Sequence, residues 1–225
     1  MANDEHLRLL LNGGVEAWNK FRRTNTTVQP DLQGADLSGY DFTGIDCSQT
    51  NLSEADLSDS YLFRANFTEA NLTKANLTEA DFIEGNLINA NLSHAMMVQV
   101  DLTGTGLIRA NLEEANLSSA NLTRASLPWA NLTKSNLSGA KLYMADLRNA
   151  ILHEANLREA DLQDTSLTGA EMQETSLQDT KHLRLDLLSK AKSLYQAEMD
   201  PVLRGQVEKE FPHLLVPPTD PSPSS

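Results

Sequence analysis

An all-β solenoid is the fold this sequence predicts, and three observations predict it. First, every fifth residue from Leu32 to Leu177 is hydrophobic: the thirty sites hold 24 Leu, three Phe (Phe42, Phe67, Phe82), two Met (Met97, Met172) and Cys47. Second, alanine stands two residues before 19 of these sites, and Asp or Asn stands one residue before 21 of them. Third, no insertion breaks the register, as the segment Ala70-Asn-Leu-Thr-Lys-Ala-Asn-Leu-Thr-Glu-Ala shows. Internal periodicity of this kind dictates the fold before any local propensity does.

A period of five excludes both regular alternatives. At about 100° per residue, five helical steps place successive leucines about 140° apart, so they spiral round a helix instead of forming one apolar stripe. A simple strand alternates its faces with period two, so a spacing of five reverses the face each time. A short extended piece followed by a corner satisfies the pattern. Ala and Leu, two apart, then share the inward direction and the Asp or Asn between them points out. The next two residues turn the corner, where Ser, Thr, Gly and charged groups are tolerated. Repetition wraps the chain into a solenoid whose turns touch only their neighbours.

The A(D/N)LXX units resemble the pentapeptide-repeat family over about two-thirds of the chain. The resemblance implies a right-handed quadrilateral parallel β-helix with four units per coil. The thirty units then make about 7.5 coils, roughly 36 Å of rod at the usual spacing of stacked strands. Leu52, Leu57, Phe67, Leu72, Leu77, Phe82, Leu112, Leu117, Leu122 and Leu132 are the expected core, each contributing roughly 1.5–3 kcal/mol on burial. Alanine at the second inward site suits a narrow section that four leucines already fill. Cys47 is expected to be a buried, inert thiol.

A solenoid exposes its core at both ends and needs caps. Three regions follow: 1–29 as an N-terminal helical cap, 30–180 as the repeat rod, and 181–225 as a C-terminal helical segment with a disordered tail. In the first region, Leu7, Leu10 and Leu11 form one helical stripe, Gly13-Gly14 interrupt, and Val15, Trp18 and Phe21 form another. After the rod, Leu187, Leu188, Ala191, Leu194 and Tyr195 recur at helical spacing, which predicts a helix from Asp186. Asp200-Pro201 predicts the start of a second helix running to about Phe211, with Pro212 stopping it. The tail from Pro217 is expected to be disordered. The first of these helices either caps the last coil or pairs with its twin in a homodimer.

The formal net charge is −13, from 18 Lys+Arg and 31 Asp+Glu. Such acidity argues against direct nucleic-acid binding. It is also unevenly spread. Residues 30–101 carry 12 acids and 2 bases, 102–142 carry 2 and 4, and 143–180 carry 8 and 2. With four units per coil, residues 20 apart stack. One ladder then reads Glu54, Lys74, His94, Glu114, Lys134, Glu154, Glu174, in which Glu54 meets Lys74, and Lys134 lies between Glu114 and Glu154. Other outward positions are apolar where Ser, Thr or charge would be ordinary: Tyr61, Phe63, Ile83, Ile88, Ile108, Trp129, Tyr143 and Met144, with Pro128 beside Trp129. An exposed apolar run marks an interaction surface, or a place where a tail folds over.

The sequence contains no HExxH, Walker, GxGxxG or GxSxG motif, and its five histidines fall at unrelated positions. One cysteine supports neither an intramolecular disulfide nor a Cys-based zinc cluster. No apolar run reaches the length of a spanning helix, and the start Met1-Ala-Asn-Asp-Glu is not that of a secretory signal. The expectation is a cytoplasmic, non-catalytic interaction or scaffold protein, without cofactor or metal, that binds a protein partner and no membrane. An alternative comes from the resemblance, since fluoroquinolone-resistance members are taken to mimic DNA on a type II topoisomerase such as DNA gyrase. The acidic stretch 30–101 supports that alternative. An enzyme would require the tail to build a pocket around His182 or His213.

Overall fold

The computed structural model describes residues 2–218. From Asp31 onward the chain climbs as a stack of near-identical turns. Parallel bridges join residues twenty apart in four columns, starting Asp31↔Asn51, Asp36↔Asp56, Asp41↔Tyr61 and Asp46↔Asn66. The four faces are named here by those first residues, as faces 31, 36, 41 and 46. The paired stretches are single bridges and not extended strands, because only the residue before each leucine is free of the corner.

Each unit is one corner. The amide of the small inward residue donates to the carbonyl of the preceding leucine, as in Ala35 N–H to Leu32 (3.1 Å) and Ala55 N–H to Leu52 (3.1 Å). Inside this turn the second residue after the leucine takes a positive φ, and it does so in all thirty units. Six are glycines, such as Gly39 (φ 69°), and 24 are not, from Gln49 (55°) to Asp179 (58°). A positive φ at the third turn residue is the type II signature. For a residue with a Cβ it costs on the order of 1 kcal/mol. That cost is offset by the stacked turn, since the same residue's amide donates to the coil above, as Glu54 N–H does to Thr73 (2.9 Å).

Two inward residues per unit fill the rod. All ten core residues named from the sequence are buried, with Leu52, Leu72, Leu77, Phe82, Leu112, Leu117, Leu122 and Leu132 at 0% exposure. Where Thr or Ser replaces the inward alanine, its hydroxyl donates to a backbone carbonyl, for example Thr105 to Phe82 (2.8 Å) and Ser60 to Leu57 (2.6 Å). The buried polar atom is thereby satisfied. Phe67 and Phe82 meet edge-on at 5.0 Å, and the ring of Phe82 takes the space of the missing side chain at Gly85. A Cβ built there falls 2.3 Å from Phe82 Cδ1.

Between the inward residues stands Asp or Asn, and its side chain has two uses. It accepts from the amide two residues on, as Asp36 Oδ1 does from Ser38 N–H (3.2 Å). Asn also donates to the residue one turn below, as in Asn51 to Asp31 (2.8 Å) and Asn71 to Asn51 (3.1 Å). A carboxylate can only accept, and the ladder of face 31 has Asp31 at its foot with asparagines above from Asn51 to Asn131.

The N-terminal helix α1 (Asp4–Thr24) lies across the first turn and is broken at Gly14, whose φ is 67° and ψ −173°. Trp18 is fully buried and Leu10 nearly so, but Leu11 is 36% exposed. The expected Leu7–Leu10–Leu11 stripe is therefore narrower, because the break at Gly14 turns the first half so that Leu10 alone of the three is deeply covered. Polar groups of α1 and the residue before it meet the open backbone edge. Trp18 Nε1–H donates to Asp46 O (2.8 Å), Asn19 both donates to Gly44 O (2.9 Å) and accepts from Asp46 N–H (2.8 Å), and Arg22 donates to Val28 O and Ser48 O. Asn3 N–H reaches Asp31 O (3.0 Å), and His6 Nδ1 accepts from Asp31 N–H (3.1 Å).

At the other end the sequence expectation needs correction. The helix from Asp186 is a single turn, α2 (Leu185–Leu188). Ser193 to Ala197 instead form another turn of the repeat type: Leu194 is fully buried, Gln196 has φ 56°, and Ala197 N–H donates to Leu194 O (3.0 Å). Bridges Glu171↔Ser193 and Glu198↔Ser176 carry the stacking past Thr180, so the rod does not stop at that boundary. The offset is 22 there, the two extra residues being taken up around α2. Leu194 and Ala197 are three apart, a spacing shared by a helix and by the Leu-x-x-Ala of the repeat. Only the free backbone edge beneath them decides between the two. The second helix, α3 (Pro201–Glu210), lies where expected, and a 3₁₀ turn (Pro212–Leu215) follows it. Val207 and Leu214 are buried, and Leu194 N–H donates to Leu214 O (2.7 Å), so this segment folds back on the rod. The disorder expected from Pro217 falls largely on residues 219–225, which lie outside the described residues.

Gly85→Ala should destabilise the protein by about 1–3 kcal/mol through overpacking. Phe82→Leu in the same chain should recover most of that loss. Urea midpoints of the two variants check it.

Candidate functional site

The eight outward apolar residues named from the sequence are distributed over faces 41 and 46; Met96, 52% exposed, is a further one, on face 36. Tyr61, Phe63, Ile83, Tyr143 and Met144 belong to face 41; Ile88, Ile108 and Trp129 belong to face 46. Trp129, Tyr61 and Met144 are 55%, 58% and 47% exposed, and the other five are half-buried. Pro128, outward by register, is buried. The set is thus two neighbouring columns and not one continuous strip.

Trp129 and Met144 are each the second residue after the leucine of their units, with φ of 58° and 57°. That position points away from the core, and all the other units fill it with Gly or a polar residue, from Ser119 and Gln49 to Glu54 and Arg124. Nothing in the packing of the rod calls for a large apolar side chain there. The Arg109 guanidinium lies over the Trp129 ring at 5.9 Å, and that of Arg64 over Phe63 at 4.8 Å, so cations cover part of the apolar surface. Arg64 also bonds Glu84 one turn above (2.8 Å).

The charged ladder forms in part. His94 meets Glu114 at 3.1 Å and Lys134 meets Glu154 at 3.7 Å. The expected Glu54–Lys74 pair is not among the ion pairs of the described residues. Both side chains extend from exposed left-handed positions, where water screens the gain and nothing orders them. A better-defined cluster, invisible to the register, ties the C-terminal segment to the rod. Glu171 lies between His153 Nε2 (3.1 Å) and Lys192 Nζ (2.8 Å). Partial burial raises the Glu171 carboxyl, but hydrogen bonding and charge from Lys192, with His153, hold it below its usual value of 4.5. Sequence spacing could not find this cluster, because Lys192 reaches Glu171 only through the turn inserted around α2.

Among the described residues, Cys47, His182 and His213 each keep separate surroundings. Cys47 is buried, and that burial, with Asp46 beside it, pushes its thiol far up, out of the range of a nucleophile. His182 pairs with Asp161 on the exposed surface (2.7 Å), and His213 lies against Phe211. Among the described residues there is no group of three or more His, Cys, Asp or Glu able to hold a metal ion, and no helix long and apolar enough to cross a membrane. A recess of about 470 Å³ at the entrance to the rod is lined by Gln29, Asp31, Gln49, Asn51 and Glu69 among others, of which Gln49 bonds Glu69 and Asn51 bonds Asp31.

A filled parallel solenoid with a patterned outer lattice defines a class of repeat protein whose differences lie on the surface. The family profile described as Pentapeptide repeats matches residues 31–68, 65–104, 101–139, 110–149 and 140–179, and the chain belongs to that family. Among solved structures it is similar to HetL, a pentapeptide repeat protein involved in heterocyst differentiation regulation from the cyanobacterium Nostoc sp. strain PCC 7120. The identity is 29%, over 80% of this chain and 89% of that one, with a TM-score of 0.33. Rfr23, a pentapeptide repeat protein from the cyanobacterium Cyanothece 51142, is 28% identical over 67% of this chain and 86% of that one, with a TM-score of 0.22. Full-length QnrB1, a plasmid-mediated fluoroquinolone resistance protein, is 14% identical over 78% and 96%, with a TM-score of 0.35. The comparison with curated proteins returned no match.

Glu171→Gln should lower the urea midpoint at pH 7. The sign follows from a folded-state carboxyl held low: the stabilisation is present above its usual 4.5 and is lost as pH falls through the lowered folded value. The difference between variant and parent should therefore narrow as the pH is taken down below 4.5, which a pH series of urea midpoints reads directly.

Proposed function

We propose that the protein is a non-catalytic, cytoplasmic interaction or scaffold protein, and that faces 41 and 46 carry its partner surface. The observation behind this reading is the exposure of Trp129 and Met144 at left-handed positions of the lattice. A bulky side chain there pays the backbone penalty without gaining core packing, so its use lies outside the rod. Support for the non-catalytic part is the filled interior, which leaves the rod's polar groups on convex faces. A right-handed rod of about 7.5 coils is the geometry this reading assumes, and the twenty-residue bridges support four units per coil.

The double variant Trp129→Ala/Met144→Ala should keep the parent's urea midpoint within about 0.5 kcal/mol, as expected for exposed sites. It should also lose the protein partner that the parent captures from a native lysate. Unchanged capture sinks the reading.

A second reading, modulation of a type II topoisomerase by DNA mimicry, is favoured by charge. Residues 30–101 carry a net −10, and acids stack on acids at Asp36 over Asp56 and Asp81 over Asp101. Clustered anions of this kind steer toward a basic groove. The weakly basic 102–142 region interrupts the acidic surface and counts against it. A gyrase supercoiling assay decides: neither inhibition nor protection at about 10 μM protein removes the mimic.

A further inference from the structure

The lower edge of the first turn is answered on two faces and open on the other two. In the stack above, each face turns three backbone groups downward. Asn51 N–H donates to Pro30 O, Asn51 O accepts from Leu32 N–H, and Ser53 O accepts from Gly34 N–H. At the foot of face 31, His6 Nδ1 accepts from Asp31 N–H and Asn3 N–H donates to Asp31 O. At the foot of face 46, Asn19, Trp18 and Arg22 meet Asp46 N–H, Asp46 O and Ser48 O in turn. The equivalent groups of faces 36 and 41 are the N–H and C=O of Asp36 and Asp41 and the C=O of Ser38 and Thr43. None of these has a partner among the described residues. Asp36, Asp41 and Thr43 are exposed. An open edge of this kind is a template for pairing with another chain.

Side chains along this edge define the chain it fits. Tyr40 stands at an inward position that Ser60 and Ala80 fill in the turns above, yet it is 44% exposed. Its ring lies stacked on Phe42, with centroids 5.6 Å apart, instead of entering the rod. From Pro30 to Phe63 the chain carries seven acids and no base. Hydrogen bonds from Ser38 and Thr43 hold the Asp36 and Asp41 carboxyls below the usual carboxylate range, so both edge residues are charged. Beside Asp36, a recess of about 370 Å³ is lined by Asp4, Leu7, Gln33 and Glu54 among others, and none of its lining residues is basic. Among the described residues no three such acids are grouped to hold a metal ion. Pairing of this edge with its own copy would set acid against acid, whereas a cationic strand meets opposite charge and an aromatic face. We propose that the open edge of faces 36 and 41 docks an extended lysine- or arginine-rich segment of another protein by strand addition. The segment's backbone pairs with Asp36 and Asp41, and its cations lie against their carboxylates and the Tyr40 ring. This edge is separate from the surface carrying Trp129 and Met144, and its occupancy does not depend on them.

Fluorescence anisotropy of a labelled lysine–threonine octapeptide, with the full chain at up to about 100 μM, tests it. Saturable binding is expected. Asp36→Asn with Asp41→Asn should weaken it about fivefold, since asparagine keeps an oxygen for Ser38 and Thr43 but removes the charge. Methylating every backbone nitrogen of the peptide should weaken it about as much, because the cations remain while the donors are lost. On adding the unmethylated peptide, the Asp36 and Asp41 amides should exchange with solvent about tenfold more slowly. The double variant Trp129→Ala/Met144→Ala should bind the peptide as the parent does. Absence of binding, equal binding of a glutamate–threonine peptide or of the methylated one, or unchanged exchange at Asp36 and Asp41 overturns the proposal. Lysate capture that depends on Trp129 and Met144, by a chain that does not bind the peptide, overturns the edge site alone.

Discussion

Everything in this molecule depends on one residue in five adopting a left-handed backbone. That residue turns the corner, aligns the next amide with the carbonyl three residues back, and offers its own N–H to the turn above. The conformation is unfavourable for most of the side chains that occupy it, and glycine fills only six of the thirty places. Cooperation between stacked turns maintains it: each corner is templated by the one below, and the leucine column excludes water from the hydrogen bonds it shields. A polar residue with a long side chain suits the site because it contributes nothing inward and stays solvated outside.

The same logic explains the ends and the exceptions. A stack of identical turns leaves its last backbone groups unpaired, which is both an energetic cost and an invitation to further stacking. At the start of the rod, Trp18, Asn19 and Arg22 answer those groups with side-chain hydrogen bonds while Trp18 and Leu10 cover the exposed leucines. At the finish, a short helical insertion is followed by one more turn of repeat type and a folded-back segment containing Val207 and Leu214. Inside, the ring of Phe82 fills the space left by the missing side chain at Gly85, so at that point one inward site compensates for the other.

Much of this was legible in the primary structure. The spacing of five, with Ala two before Leu, assigns inward and outward positions, and every core residue it names is buried. The selection of Asp and Asn was visible as a pattern, but its cause was not, since the asparagine ladder joins residues twenty apart and the amide it caps depends on the turn's geometry. On the surface, register identified Trp129 and Met144 as unusual, yet it also placed Pro128 outward, where neighbouring side chains in fact cover it. Register likewise paired Glu54 with Lys74, because stacking predicts proximity and says nothing of rotamers held in water.

The sequence by itself determined the solenoid, its period and its buried column, because those follow from strictly local repetition that admits neither a helix nor a flat strand. Only the tertiary structure decided how the repetition ends. Leu194 and Ala197 satisfy a helix and a repeat turn equally well as letters, and the free backbone edge beneath them selects the turn. It also decided where charges meet across an insertion, as at Glu171 and Lys192. Such contacts lie between segments whose relative height no spacing rule encodes.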